Sequence, residues 1–191
     1  MPYSQKHKAQ SRQRIVASAY NLFSSRGYEN VSINEIMADA KMTRGAFYAH
    51  FGSKSKLYKE AIQYAANQTQ ITSPKPEHLD SKIWIEKLIK EYLSKKHITG
   101  SCRCPLASLA TDVVVREPEV RKAYTDTFKG LNKLMHEYTK TFSQADKDTV
   151  LATSAMMIGG LAIARALDDK TCAERLLKSC QKEAMALLEK N

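Results

Sequence analysis

Glycine and proline are scarce in this chain, seven and five among 191 residues, and no segment alternates apolar with polar residues as a half-buried strand does. The turn-rich pattern of a β-sandwich or barrel is therefore missing, and helices are what remains. No glycine-rich phosphate loop, G-x-S-x-G elbow or H-E-x-x-H pair occurs, so the expectation is a non-enzyme with no cofactor and no metal. No run approaches the roughly 18 apolar residues of a membrane span, and the N-terminus lacks an apolar signal core. A cytoplasmic protein without a membrane partner is predicted. The four cysteines then read as reduced thiols.

Positive charge is abundant. The formal net charge is +10. Residues 1–64 hold six Lys, four Arg and four acids, a balance of +6, which leaves +4 for the remaining two thirds of the chain. Lys6, Lys8, Arg12 and Arg14 cluster ahead of the first apolar helix face. Such an arm either meets phosphate or a minor groove or is a solvated, frayed terminus.

The stretch Ser32 to Lys54, SINEIMADAKMTRGAFYAHFGSK, carries the most information. Ser32 with Glu35 forms a capping box that starts a helix at Ile33. Ile33, Ile36, Met37 and Ala40 make its apolar face. Ala40-Lys41-Met42 is a turn, and Thr43 can cap a second helix whose front exposes Arg44 and Gly45. Phe47 and Phe51, four apart, face inward, while Tyr48 and His50 point elsewhere. Ser53 can cap a third helix from Lys54, with Leu57, Tyr58, Ala61 and Ile62 on one face. Two short helices at a tight turn can place the second in a DNA major groove. There Arg44 can pair with guanine, while Tyr48, His50 and Lys54 meet phosphates. On spacing alone, an ordinary helix pair in a bundle explains the pattern equally well.

Gly45, Tyr48, His50, Phe51 and Lys54 together resemble the DNA-binding signature of the TetR family of bacterial repressors. Ile15, Val16, Ala19, Leu22, Phe23 and the run Arg26-Gly27-Tyr28 resemble that family's first helix and its glycine end. The likeness is specific over residues 10 to 64 and extends more weakly over the whole chain. It implies base reading by Arg44, Gly45, Ala46, Tyr48, Ala49 and Asn34, and phosphate contacts from Ser32, Thr43, Tyr48, His50 and Lys54. Asn34 can equally be a solvated helix residue, and His50 a packing residue. The implied fold is all-α: a three-helix helix-turn-helix domain, residues 1–64, then a helical ligand-binding and dimerisation domain, residues 65–191, with about nine helices in total.

Beyond a polar linker at Thr69 to Glu77, helices are expected over Leu79–Lys96, Leu106–Val115, Pro118–Phe142, Asp146–Leu167 and Thr171–Glu189, with Thr171 as the last cap. Leu151, Ile158, Leu161 and Arg165 line up on the penultimate helix, and Leu176, Leu177, Cys180, Ala184 and Leu187 on the last. These stripes are either internal core or, as the resemblance implies, a homodimer interface. Gly159-Gly160 suggests a close helix approach. The resemblance also implies a pocket for a small-molecule inducer, with Trp84, Tyr92, Leu106, Leu109, Tyr124, Phe128, Leu131, Met135, Met156 and Met157 as lining candidates or plain core.

Cys102 and Cys104 flank Arg103 before a helix start, a setting that lowers a thiol pKa. The run resembles a subgroup of that family with a Gly-Cys-Pro-Leu-Ala-like element. Cys104 is a buried structural residue or a redox or electrophile sensor; a metal site with His97 lacks a fourth ligand. The resulting expectation is a sequence-specific repressor, acting as a homodimer on double-stranded operator DNA and released by an inducer. The alternatives are a repressor switched by cysteine modification, or a helical adaptor without DNA binding.

Overall fold

A computed structural model describes residues 5–68, 75–99 and 104–189, and every regular element among them is helical. α1 (Gln5–Arg26), α2 (Ile33–Asp39), α3 (Arg44–His50) and α4 (Lys54–Gln68) form the head. The body holds α5 (Ser81–Tyr92), α6 (Lys95–Thr99), α7 (Pro105–Ser108), α8 (Pro118–Thr139), α9 (Lys147–Ala166) and α10 (Lys170–Glu189). That makes ten α-helices among the described residues, with a 3-10 turn at Val113–Val115, against about nine expected.

Local chemistry explains most boundaries. α1 stops where Gly27 takes φ 77° and returns its N–H to the Phe23 carbonyl at 2.8 Å, a conformation glycine adopts without a Cβ penalty. The Ser32 capping box is complete: the Glu35 N–H donates to the Ser32 hydroxyl at 3.2 Å, and the Ser32 N–H donates to the Glu35 carboxylate at 2.8 Å. The Ser32 N–H and hydroxyl both donate to the Glu35 carboxylate and, helped by Arg26, hold its pKa down at about 2. Ser53 accepts the Lys56 N–H at 3.1 Å and caps α4 as expected, and Asp146 caps α9 by accepting the Thr149 N–H at 2.8 Å. Thr171 is not the cap of α10; Asp169 takes the Cys172 N–H at 3.0 Å, and the helix starts at Lys170.

The helix expected over residues 79–96 ends at Tyr92. Leu93 is buried, and its carbonyl accepts the Gln181 side-chain amide at 2.8 Å. A contact with α10 thus replaces the next helical bond. The segment 106–115 splits into α7 and the 3-10 turn, and α8 stops at Thr139, before Phe142.

Two apolar clusters form the core. The first joins Ile15, Ala19, Phe23, Ile36, Met37, Phe47, Phe51, Leu57, Tyr58 and Ile62 of the head to Leu109, Val113, Val120 and Ala123 of the body. The second packs Trp84, Ile85, Ile89 and Tyr92 against Leu131, Met135, Met157, Leu161, Leu177 and Leu188. Tyr124 touches both. The boundary expected at residue 64 falls inside α4, which lies along both α1 and α8.

α9 corrects two expectations. It is long and apolar enough, by length and composition, to cross a bilayer, with a mean hydropathy of 1.5 over its most apolar window. Here it packs along α10 and α8. The stripe expected to meet a second copy is also divided. Leu161, Leu177 and Ala184 are at most 3% exposed inside their own chain, so they are core and not interface. Arg165 turns inward and donates to the Ser108 hydroxyl at 3.1 Å. Leu176, Cys180 and Leu187 are half-buried. The open apolar face of α9 carries Leu151, Ala155 and Ile163, with Ile158, Gly159 and Ala162 half-buried among them.

The paired glycines serve different ends. A Cβ on Gly160 would stand 2.7 Å from the Cys180 sulfur, whereas a Cβ on Gly159 meets nothing within 4 Å. Gly160 therefore allows α9 and α10 to approach. Gly160→Ala is expected to lower stability through overpacking, by about 1–3 kcal/mol, and Cys180→Ala in the same chain should recover most of the loss. Urea unfolding of the four variants of that cycle checks this; equal losses with and without the Cys180 sulfur would remove the contact as the cause.

Candidate nucleic-acid interface

α3 stands on a fixed base. Phe47 and Phe51 are at most 3% exposed and their rings lie 5.8 Å apart, against Ile36 and Met37 of α2. With its apolar side anchored, α3 turns Arg44, Gly45, Tyr48 and Ala49 outward; Tyr48 is 60% exposed. Ala46 and His50 are half-buried at the edges, and Asn34 is exposed on α2. The turn between the helices holds Lys41 at φ 55°, a left-handed conformation that costs an L-residue about 1–2 kcal/mol. It is stabilised by Lys41 N–H to the Ala38 carbonyl at 3.0 Å and Met42 N–H to the Met37 carbonyl at 2.8 Å.

The polar candidates differ in what they have left to offer. Thr43 makes no capping bond and is exposed, so its hydroxyl is unspent. The reason is that α3's first turn already closes through the Ala46 N–H to the Thr43 carbonyl. Ser32 spends both its hydroxyl and its N–H on Glu35. His50 has its Nδ1 enclosed with no hydrogen-bond partner among the described residues. Burial, then Lys8 and Arg12, push its pKa below the ordinary histidine value. Lys54 sits over the Tyr28 ring, its Nζ 4.1 Å from the centroid, and burial lowers its pKa. Gly45 has no internal need to be glycine: an added Cβ would find only the Thr43 hydroxyl oxygen, at 4.0 Å.

The basic arm is corrected. α1 begins by Gln5, and two of the four cations are committed to the fold. Arg14 donates to the Ala40 carbonyl at the end of α2. Arg12 pairs with Glu60 and lies over the Phe51 ring at 4.8 Å. Ser18 also grips α2, through the Ile36 carbonyl and the Asp39 carboxylate. These α1 residues position the helix pair. Their role was hidden in sequence because their partners lie 18 to 48 positions away. Lys6 and Lys8 remain exposed.

In the body, the inducer-pocket candidates are packed as core. Trp84, Tyr92, Leu106, Leu131, Met135 and Met157 belong to the second cluster, with Phe128 and Tyr124 partly buried against it. Leu109 belongs to the first cluster, and Met156 is half-buried on α9. Two surface depressions, one along α10 and one between α1 and Tyr64, are lined by none of them. Cys104 is 3% exposed, and the buried Tyr92 hydroxyl donates to its sulfur at 3.1 Å. His97 bonds through Nδ1 to the Tyr92 carbonyl at 2.8 Å. Cys102 and Arg103 lie outside the described residues.

Comparison with known proteins matches the head. A family model described as "Bacterial regulatory proteins, tetR family" covers residues 15–61. The Transposon Tn10 TetC protein of Escherichia coli is 41% identical over 69 residues, 32% of this chain and 35% of that protein; the match thus spans about a third of that relative. The HTH-type transcriptional repressor BepR of Brucella suis is 23% identical over 164 residues, 80% of this chain and 78% of BepR. Among solved structures, E. coli NemR in its reduced form superposes with a TM-score of 0.76 at 16% identity, covering 92% of this chain and 95% of NemR. The all-helical layout is that of NemR, and residues 15–61 are similar to the DNA-binding head of the TetR family of bacterial regulatory proteins.

Proposed function

We propose that the protein is a homodimeric repressor that reads operator DNA with α2 and α3 and is released by a small-molecule inducer. The observation that carries this reading is the rigidly based, outward face of α3. Arg44 stands at its front, and Gly45 lacks a side chain where the fold leaves room for one. Glycine in a helix is less favourable than alanine. A close approach by an outside surface accounts for that cost, and a major-groove edge is such a surface. Tyr48 and Ala49 flank Arg44 for base edges, with Asn34 on α2; Thr43, His50 and Lys54 supply phosphate contacts. Ser32 acts there chiefly as the helix cap. BepR is named a repressor, which supports the sign of regulation. Selection of bound duplexes from a random library tests the proposal; recovery of no enriched motif would reject it.

The body takes the inducer by opening the second cluster around Tyr92, Phe128 and Met135, and the open face of α9 meets a second copy. A switch by covalent change at Cys104 is the second reading. It is favoured by the Tyr92 hydrogen bond to that sulfur and by the likeness to NemR, described as reduced. Burial places it second, because a reagent must first part α7 from α5.

His50 adds a pH signature. Burial, with Lys8 and Arg12 nearby, holds its pKa in the free protein below the ordinary histidine value, which favours the neutral ring. A phosphate beside it favours the charged form, so the complex binds more protons than the free protein. DNA affinity is therefore expected to rise as pH falls through the window between the bound and the free pKa values. His50→Gln should flatten that part of the profile. Anisotropy titrations across this range check it; an unchanged pH slope in His50→Gln would exclude the contact.

A further inference from the structure

One polar joint ties the head to the body. The 112–119 segment, which runs from the α7–α8 connection into the first turn of α8, receives the α1–α2 turn and the first turns of α4. The Tyr28 N–H donates to the Asp112 carboxylate at 3.2 Å, and the Tyr58 hydroxyl donates to the same oxygen at 2.5 Å. Ser55 donates to Glu117 at 2.7 Å. Arg116, its side chain 10% exposed, pairs with Glu29 and with Asp112. Its guanidinium also lies 4.3 Å from the centroid of the Tyr28 ring. The same ring holds the Lys54 ammonium at 4.1 Å.

Lys54 makes no hydrogen bond or ion pair among the described residues; its contacts are the Tyr28 and Phe23 rings. An ammonium drawn against aromatic faces keeps its charge attracted by the ring quadrupole while its N–H donors stay unspent. Phosphate oxygens supply the missing acceptors. A lysine is otherwise a flexible side chain that must be ordered on binding. Holding it beforehand removes part of that cost.

We propose that Tyr28 and Arg116 are positioning residues for DNA binding: they hold Lys54 where it meets a phosphate, so that the body segment around Arg116 sets the strength of a contact made by the head. This inference rests on the reading of Lys54 as a phosphate contact. Arg116, its side chain 10% exposed, acts here from the body and not as a DNA contact of its own. It clamps the Tyr28 ring from the body, and any movement of the 112–119 segment changes the seat of Lys54. The joint thereby gives an event in the body a physical route to the DNA contact.

The test uses the full chain and a labelled duplex of arbitrary sequence, because phosphate contacts do not depend on sequence. Affinity is measured over a salt series. Lys54→Gln should reduce the salt slope by about 0.9 for each bound protomer. Tyr28→Leu and Arg116→Gln should each weaken binding by about two- to fivefold, the worth of one cation–π contact. Tyr28→Phe, which keeps the ring face, should bind like wild type. Added to Lys54→Gln, Tyr28→Leu should cause no further loss. Equal losses in both backgrounds, or a Phe variant as weak as the Leu variant, would overturn the proposal by showing general loosening of the head. A Lys54→Gln variant with an unchanged slope would instead overturn the phosphate reading on which it rests. If Arg116→Gln fails to fold in a thermal melt, the Tyr28 pair of variants decides alone.

Discussion

Ile163→Glu is expected to convert the protein into a monomer and to abolish tight operator binding. Ile163 is 54% exposed and Leu151 40% exposed in the single chain. The two lie with Ala155, Ile158, Gly159 and Ala162 on one side of α9, opposite the buried Met157, Gly160, Leu161 and Ala164. A second copy packed on that face would enclose the new carboxylate without a partner. Such a charge costs about 3–5 kcal/mol, and two-fold symmetry applies it twice. Loss of the dimer then loses the simultaneous grip on half-sites about one helical turn apart. Light scattering and DNA titration on the same samples check this. A dimer that survives the substitution would move the interface away from α9, and a wild-type monomer at micromolar concentration would end the proposal. Leu177→Glu, which the sequence stripe suggests as the disruptive change, tests something else: Leu177 is buried in its own chain, so that variant should unfold.

Arg44→Ala should erase the preference for one base pair in each half-site. The loss is about 1–3 kcal/mol at that position, and it is felt twice by a dimer on a symmetric operator. Arg44 is exposed at the front of α3, and its removal leaves no cavity, so the thermal midpoint should stay near wild type. Binding to unrelated duplexes should fall only by the share of one surface charge. Selected motifs from wild type and Arg44→Ala, compared position by position, decide the matter. An unchanged motif would reassign base reading, with Asn34 and Tyr48 as the next residues to vary.

The head was legible because its determinants are local. The Ser32–Glu35 box, the Phe47–Phe51 spacing and the Gly27 stop each operate within four residues, and each is present as expected. Helix-period stripes marked the inward faces of α2, α3 and α4 for the same reason. What failed locally failed by small margins of competing chemistry. Asp169 displaced Thr171 as a cap, and the Gln181 amide ended α5 early.

The stripe on α10 could not be assigned from the sequence. An apolar face looks the same whether it meets its own chain or another, and only the packing of α9 shows that Leu161, Leu177 and Ala184 are already covered while Ile163 is open. The grip of Arg14 and Ser18 on α2, the pairing of Arg12 with Glu60 and the joint of Tyr28, Lys54, Asp112 and Arg116 join residues from 18 to 88 positions apart. Charge and aromatic rings at such distances carry no periodicity. The sequence by itself determined the helices of the head and their inward faces, because those follow from backbone propensity and burial over one or two turns. Only the tertiary structure decided which cations are committed to the fold, because that depends on what the folded chain brings within reach of each one.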